Sequence, residues 1–334
     1  MKKLLILLPL CAVAGCLWLS GCSKSKNAAT QSGNSAGSAT AASATATATS
    51  DQSLEMKIKW AVGKDYPMHM QMDQITKTDV PGQPQPFVQK MNIGQDFDFS
   101  AVKQLDNGGW QLQLKFDSET MDMAQGDHNV ISFNSAQSSD QDGNNPAAPI
   151  MRAMIGARIQ YFTDANGKVE RVEGVDELKS HIAASGQPQN QAILNQMINA
   201  DAFKQYGSFA DAMPDHRVAI GDDWTLNKDV STFIGVLTVN LKYTFKNWEQ
   251  HGDRNCARVE AEGSISTKSV STATGMAVEI TKGTITGEFW YDPTQGMIVE
   301  ADNEQNLSLK ITTRQQTMTS QFNQKTRVTL LPGQ

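Results

Sequence analysis

Apolar and polar residues alternate with a period of two along most of this chain. Between Tyr66 and Asp73 the alternation places Met68, Met70 and Met72 on one face. The segment from Phe233 to Phe245 has the same period. Because successive side chains of a strand point to opposite faces of a sheet, this alternation predicts β-strands with one buried face.

The pattern predicts long strands that follow one another through short turns. Asp106-Asn107-Gly108-Gly109 and Asp292-Pro293-Thr294-Gln295-Gly296 are turn sequences of this kind. Strands joined by such short turns pair in antiparallel fashion. The predicted strands cover residues 66–73, 93–105, 110–116, 130–133, 158–163, 168–172, 233–245, 254–266, 277–291, 297–313 and 317–331.

The middle of the chain has a helical pattern instead. Residues 150–155, 175–184 and 189–213 are predicted helices. In the last of them, Ile193 and Met197 share one helical face before Pro214 stops the helix. The order of strands, helices and strands predicts an α+β fold. We expect a long, curved, antiparallel sheet, shaped like half a barrel, with the central helical segment covering one face.

The first 22 residues resemble the signal sequence of a bacterial lipoprotein. Two lysines precede an apolar run over residues 4–19, which is shorter than the about 20 residues that a membrane-spanning helix needs. Leu19-Ser20-Gly21-Cys22 resembles a lipobox, which implies cleavage before Cys22 and lipidation of Cys22. Val13-Ala14-Gly15-Cys16 is a looser match. In bacterial lipoproteins an Asp after the lipidated Cys resembles a signal for retention in the inner membrane. Ser23 follows Cys22 here, so the resemblance implies the outer membrane, on its periplasmic face.

Residues 22–54 are nearly all Ser, Ala, Thr, Gly, Asn and Gln. Such a composition cannot bury enough apolar surface to offset its ordering entropy, so we expect a disordered tether that spans about 30 Å. We expect a signal peptide over residues 1–21 and a folded part over residues 55–334. That part forms either one large domain or two β halves, 55–135 and 225–334, joined by a helical middle, 148–214.

Cleavage alters the charge and the cysteine inventory. The net charge of −6 becomes −8, because Lys2 and Lys3 are removed. Of the four cysteines only Cys22 and Cys256 remain, so an acylated Cys22 leaves no intramolecular disulfide. We expect Cys256, in a strand-like run, to be buried and inert. Lys and Arg form no cluster, which argues against nucleic acid as a partner.

Four short pieces occur in an order that resembles a known family. They are Phe116-Asp117-Ser118, Gly167-Lys168-Val169, Gly221-Asp222-Asp223-Trp224 and Gly287-Glu288-Phe289-Trp290-Tyr291-Asp292. This order resembles a family of bacterial lipoproteins of unknown function, whose pattern has a strand-ending Asp-Ser, a Gly-Lys-Val turn, a Gly-Asp-x-Trp and a closing Gly-x-Phe-x-Asp. Asp292 falls one residue late in that pattern. The resemblance implies no catalytic residues.

The third piece also has a structural interpretation of its own. We expect Gly221 to take a positive φ in a tight turn and Trp224 to pack under the sheet. At the level of fold alone, the chain is similar to periplasmic lipoprotein carriers, in which a curved sheet lidded by helices surrounds an apolar cavity.

The sequence offers no constellation of catalytic or metal-binding residues. The five histidines are scattered and none has a metal-ligand spacing to another His or Cys. Neither a Gly-x-Ser-x-Gly elbow nor a glycine-rich phosphate loop occurs. We therefore predict a protein that is not an enzyme and has no metal and no cofactor. A hydrolase whose site is not visible in the sequence is the least favoured alternative.

Methionines at strand and helix positions suggest an adaptable apolar pocket, because Met is flexible and polarizable. An ordinary core filled with methionine is the alternative. The candidate lining residues are Met68, Met70, Met72, Met121, Met123, Met154, Ile193 and Met197.

Two functions remain open from the sequence. The first is a periplasmic lipoprotein that binds a lipid or another apolar ligand between sheet and helices, and such a carrier needs a cavity of several hundred Å³. The second is a structural or interaction lipoprotein that acts through contacts with an envelope protein. In both, the membrane is a partner through Cys22.

Overall fold

Antiparallel strands dominate the computed structural model, which describes residues 53–143, 145, 147–184, 198–232, 234–271, 276–314 and 316–332. The strands are β1 Asp65–Asp79, β2 Phe87–Gln104, β3 Trp110–Gln125, β4 His128–Asn134, β5 Arg158–Thr163, β6 Val169–Glu173, β7 Asp223–Thr232, β8 Gly235–His251, β9 Arg254–Val270, β10 Met276–Asp292, β11 Met297–Thr313 and β12 Thr317–Leu330. The described helices are α1 Ala148–Met154, α2 Val175–Ala184 and α3 Ala200–Lys204, with 3₁₀ turns at Ser139–Asp142 and Phe209–Ala212.

All twelve strands belong to one sheet. Its order is β6-β5-β3-β2-β1-β12-β11-β10-β9-β8-β7, and β4 pairs with β3 outside this path. The early and late β regions meet where β1 pairs with β12, from Met68 opposite Leu330 to Asp79 opposite Thr319. The predicted long antiparallel sheet is therefore confirmed, and the two β regions are parts of one sheet.

The helical cover is smaller than the sequence pattern predicts. Residues 189–197 of the predicted helix 189–213 lie outside the described residues, and the rest contains only α3 and the second 3₁₀ turn. After α3 the backbone passes close over Tyr161: a Cβ on Gly207 would lie 2.6 Å from that ring. The Tyr161 hydroxyl donates to Phe203 O at 2.8 Å. α3 begins after Asn199, whose side chain accepts from Ala202 N–H, and it ends before this close approach.

The Asp117-Ser118 pair does not end its strand, which corrects the predicted strand end. β3 continues to Gln125. Phe116 and Ser118 pair with successive residues of β2, so Asp117 is an extra residue in β3. The pair is thus a β-bulge inside a long strand.

The turn before β7 is as predicted. Gly221 has a φ of +94°, and a backbone in this region favours glycine. Trp224 is buried and donates from its indole N–H to Ala212 O at 3.0 Å. Its ring stacks on Tyr243 at 5.6 Å between centroids.

One face of the sheet, here called the inner face, carries the main core. Phe97, Phe99 and Phe116 pack there against Tyr206 and Phe209. The segment before β1 also contributes, and the Tyr291 hydroxyl donates to Lys57 O at 2.7 Å to hold it.

Cys256 is fully buried in the same core, as expected. Burial raises the pKa of its thiol to about 11, so the reactive thiolate is scarce. Among the described residues, no helix combines the length and the apolar character that crossing a bilayer requires.

Candidate functional site

A second apolar cluster lies on the inner face, apart from the main core. We call it the methionine cluster; it consists of buried Met72, Met91, Ile93 and Met123, with partly buried Met121 and Ile131 against it. All of its members come from strands β1 to β4, and none comes from a described helix. The sheet therefore builds this cluster by the alternation of its own strands.

Buried amide groups border the methionine cluster on β1, β12 and β11. Gln74 lies opposite Gln324, and each donates from Nε2 to a threonine two residues farther along its strand, Thr76 at 3.1 Å and Thr326 at 3.0 Å. Gln74 Oε1, Gln324 Oε1 and Asn303 Oδ1 have no hydrogen-bond partner among the described residues. An acceptor buried in this way costs about 1–3 kcal/mol.

The registers place these acceptors next to the cluster. Gln74 of β1 lies opposite Met91 of β2. Asn303 lies opposite Thr326, which in turn lies opposite Met72. The inner face therefore offers an apolar surface with hydrogen-bond acceptors along one side of it.

Glu119 lies on another side of the cluster, on the inner face of β3. It is 7% exposed, and its Oε2 has no hydrogen-bond partner among the described residues. Ser135 fixes its backbone, because Glu119 N–H donates to Ser135 Oγ at 2.9 Å and Ser135 N–H donates to Glu119 O at 2.9 Å. Burial raises the pKa of the Glu119 carboxyl to about 7.

The bulge at Asp117 explains why Glu119 points inward. From Phe116, which is buried on the inner face, a strict period of two would place Ser118 inward and Glu119 outward. The extra residue shifts that alternation by one. Opposite Glu119 on β2 lies buried Gln95, whose Oε1 accepts from the Tyr206 hydroxyl at 3.2 Å.

The predicted pocket residues are divided between different places. Met68 and Met70 belong to the main core, and Met154 packs partly buried against it. Met72 and Met123 belong to the methionine cluster, with Met121 against it. Ile193 and Met197 lie outside the described residues, as does Cys22.

Sequence reasoning missed Met91, the buried amides and Glu119. The alternation Gln89, Met91, Ile93, Gln95 in β2 carries the signal for Met91, because these side chains share the face of buried Phe97. No local pattern signals Glu119, because its direction depends on the bulge.

The opposite face of the sheet is polar and forms a trough of about 760 Å³. We call it the polar trough; its lining comes from β1, β8, β9, β10, β11 and β12. β1 and β8 stand at the two ends of this run of six strands, yet residues of both line the same trough. The polar face is therefore concave here. Its lining includes six carboxylates and four basic side chains.

The charged side chains of the polar trough largely pair with one another. Arg327 binds Asp302 through two hydrogen bonds of 2.7 Å. Arg258 donates to Glu288 at 2.7 Å and to Glu260 at 3.0 Å. Such a face is suited to a charged binding partner, whose groups can replace one member of an intramolecular ion pair.

Three residue types of a hydrolase meet on the polar face, but in a different order from a catalytic triad. Asp96 stands in the middle: its Oδ1 contacts His69 Nδ1 at 2.6 Å, and its Oδ2 accepts from Ser118 Oγ at 2.6 Å. In a Ser-His-Asp triad the histidine stands between the other two and removes the serine proton. Here Ser118 is bonded to the acid instead.

Within the described part of the chain, no group of three or more His, Cys, Asp or Glu side chains is arranged to hold a metal ion.

Comparison with known sequences identifies a family. The profile of DUF6263, a family of unknown function, matches residues 107–298, which is more than half of the chain. No curated protein matches the sequence.

Solved structures share only a distant likeness with this chain. A lipovitellin structure described by its lipid–protein interactions has a TM-score of 0.43 and 10% identity, over 83% of this chain and 26% of that one, so this chain spans about a quarter of lipovitellin. A putative exported protein with a YmcC-like fold from Bacteroides fragilis has a TM-score of 0.26 and 13% identity, over 83% and 98% of the two chains. DynF of the dynemicin biosynthesis pathway from Micromonospora chersina has a TM-score of 0.21 and 6% identity, over 84% and 92%. These TM-scores are low, and the likenesses define neither a shared fold nor a function.

Proposed function

This chain belongs to DUF6263, a family of unknown function, and we propose that it is a non-enzymatic binding protein of the bacterial envelope. Its ligand is amphipathic and lies against the inner face of the sheet, on the methionine cluster. The protein is anchored through lipidated Cys22 in the outer membrane and faces the periplasm.

The observation that carries this proposal is the set of buried acceptors beside the methionine cluster. Gln74, Gln324 and Asn303 each keep a buried oxygen without a partner among the described residues. Each costs about 1–3 kcal/mol that a hydrogen-bond donor would restore. A bound molecule that donates there and covers the methionine cluster removes that cost.

The methionine cluster is suited to such a ligand. Its buried methionines have three rotatable side-chain bonds each, so they adapt to the shape of an apolar body. The cluster is separate from the main core. It can therefore re-pack around a ligand while the aromatic core keeps its arrangement.

Replacing one unpartnered amide tests the proposal. We expect the lipidated protein, extracted from envelopes, to carry a bound amphiphile at a ratio of one to one in native mass spectrometry. Gln324→Met should lower this occupancy, because it removes an acceptor. It should also raise the melting temperature of the ligand-free protein, because it removes a buried unpaired oxygen.

Gln321→Met is the matched control. Gln321 is exposed on the polar face of the same strand, so the same change should alter neither occupancy nor stability. A protein that is consistently empty, and that takes up no hydrophobic dye, would rule out the ligand.

A second candidate function is that of an interaction lipoprotein, and the polar trough favours it. The polar trough, with a volume of about 760 Å³ and interleaved charges, fits a polar segment of an envelope protein. A photo-crosslinking residue at Gln71, which lines the trough, should then give a higher-mass adduct in cells. The same residue at exposed Lys90, on β2 outside the trough, should not.

A further inference from the structure

Glu119 is a buried acid that the proposed function does not yet use. We propose that the ligand of the inner face carries an ammonium group and that the Glu119 carboxylate is its counter-ion. This inference rests on the proposed function, because it concerns the ligand of the same site. It names the chemical class of that ligand: an amine with an apolar body.

The first argument is the surroundings of the carboxyl group. Met121, two residues along β3 and on the same face, packs against the methionine cluster and also against the separate cluster of Phe133 and Met151. The side chain of Glu119 thus ends in an apolar region. A carboxylate in such a region is stable only when it is protonated or meets a cation.

The second argument is that no described cation forms an ion pair with Glu119. Arg152 donates to Ser135 O at 3.5 Å, but its guanidinium is paired with Asp142 instead. The neighbouring acids of the two strands, Asp96 and Asp117, form their contacts on the polar face with His69 and Lys115. Burial alone raises the pKa of the Glu119 carboxyl. Gln95, the residue opposite, is neutral.

The third argument is the direction of the side chain. The bulge at Asp117 is what turns Glu119 inward in place of Ser118. Bulges commonly re-aim a side chain next to a functional site. Here the bulge replaces a small hydroxyl with an acid at the border of the methionine cluster.

The fourth argument is the chemistry shared by the unpartnered atoms. Glu119 Oε2 and the amide oxygens of Gln74, Gln324 and Asn303 all accept hydrogen bonds. A carboxylate-headed lipid would bring more acceptors and a like charge. An amine brings donors and the opposite charge to Glu119. Its apolar body crosses the cluster, and a second donor at the far end of that body would reach the amides, which lie about 16–20 Å from Glu119 by strand spacing and register.

Three amphiphiles test the inference. They have the same alkyl chain and differ only in the head group, which is an amine, an alcohol or a carboxylate. The full lipidated protein is placed in phosphatidylcholine nanodiscs and titrated with each at neutral pH, with methionine-methyl NMR signals of Met121 and Met123 as the readout. We expect the amine to bind at least about tenfold more tightly than the alcohol, since an opposite charge shifts a carboxyl equilibrium by a unit or more. The carboxylate should bind weakest.

Glu119→Gln removes the charge and keeps the shape. It should abolish the preference for the amine while binding of the alcohol persists. Glu262→Gln, the same change at an exposed residue of the polar trough, should leave the preference intact. Equal binding of amine and alcohol by the native protein, or an unchanged preference in Glu119→Gln, overturns the inference. Binding of none of the three overturns the proposed function as well.

Discussion

Glu119 and the amides of Gln74, Gln324 and Asn303 each keep a buried oxygen without a partner among the described residues, as the Tyr243 hydroxyl also does. The Tyr161 hydroxyl, by contrast, donates to Phe203 O. Native interiors tolerate few unpartnered groups, because each keeps its full desolvation cost. At the scale of the residue, the stability of the protein and the binding that we propose therefore depend on the same atoms.

Glu119→Gln should stabilise the ligand-free protein in a pH-dependent way. The pKa of Glu119 is about 7 in the folded protein against an ordinary value of 4.5, so the unfolded chain releases its proton first as pH rises. The destabilisation caused by the buried, ionised carboxylate begins as the pH rises above 4.5 and is complete above about 7. The variant should gain up to about 3 kcal/mol above pH 7 and nothing below pH 4.

Chemical denaturation at pH 4 and pH 8 measures this difference. Glu262→Gln, at an exposed position, is the control for the loss of one carboxyl group. An equal effect of Glu119→Gln at both pH values would contradict the raised pKa.

At the scale of the element, the least regular parts of the fold position the most distinctive residues. The bulge in β3 aims Glu119, and the turn at Gly221 leads the chain into β7 so that Trp224 reaches the inner face. Trp224 also joins β7 to the second 3₁₀ turn through Ala212. This hydrogen bond therefore connects an edge strand to the central segment.

Trp224→Phe should lower the free energy of unfolding by about 1–3 kcal/mol, because it leaves the Ala212 carbonyl without its donor. Thermal unfolding measures the loss. Trp248→Phe is the control: Trp248 is partly buried against Phe245, and its indole nitrogen forms no hydrogen bond with a described residue. Equal losses in both variants would mean that ring volume, rather than the hydrogen bond, matters.

At the scale of the whole molecule, β1 and β12 hold the sheet together. Twelve consecutive residue pairs join them, from Met68 with Leu330 to Asp79 with Thr319. The sheet then presents a mainly apolar inner face and a polar face. One face can then bind a ligand while the other contacts solvent or a partner.

The proposed anchor at Cys22 is tested on the whole chain. Cys22→Ala should leave an unprocessed precursor, seen as a slower band on a gel and as loss of labelling by a fatty-acid analogue. Cys16→Ala should be processed normally. Processing that persists in Cys22→Ala and is lost in Cys16→Ala would move the anchor to Cys16.

The sequence by itself determined what depends on neighbouring residues. The alternation of β1, the hairpin of β5 and β6 across Asp164-Ala165-Asn166-Gly167, and the turn at Gly221 all follow from residues within a few positions of one another. The family was also readable, because short pieces in a fixed order carry it. These features need no knowledge of distant contacts.

Only the tertiary structure decided the rest. Within its described part, the helix expected over 189–213 is reduced to α3, which ends before Gly207 passes the Tyr161 ring. The predicted methionines separate into two clusters. The inward direction of Glu119 depends on an extra residue that β2 leaves unpaired. Each of these outcomes is set by packing or pairing between distant segments, whose free energy a local pattern of apolar and polar residues does not contain.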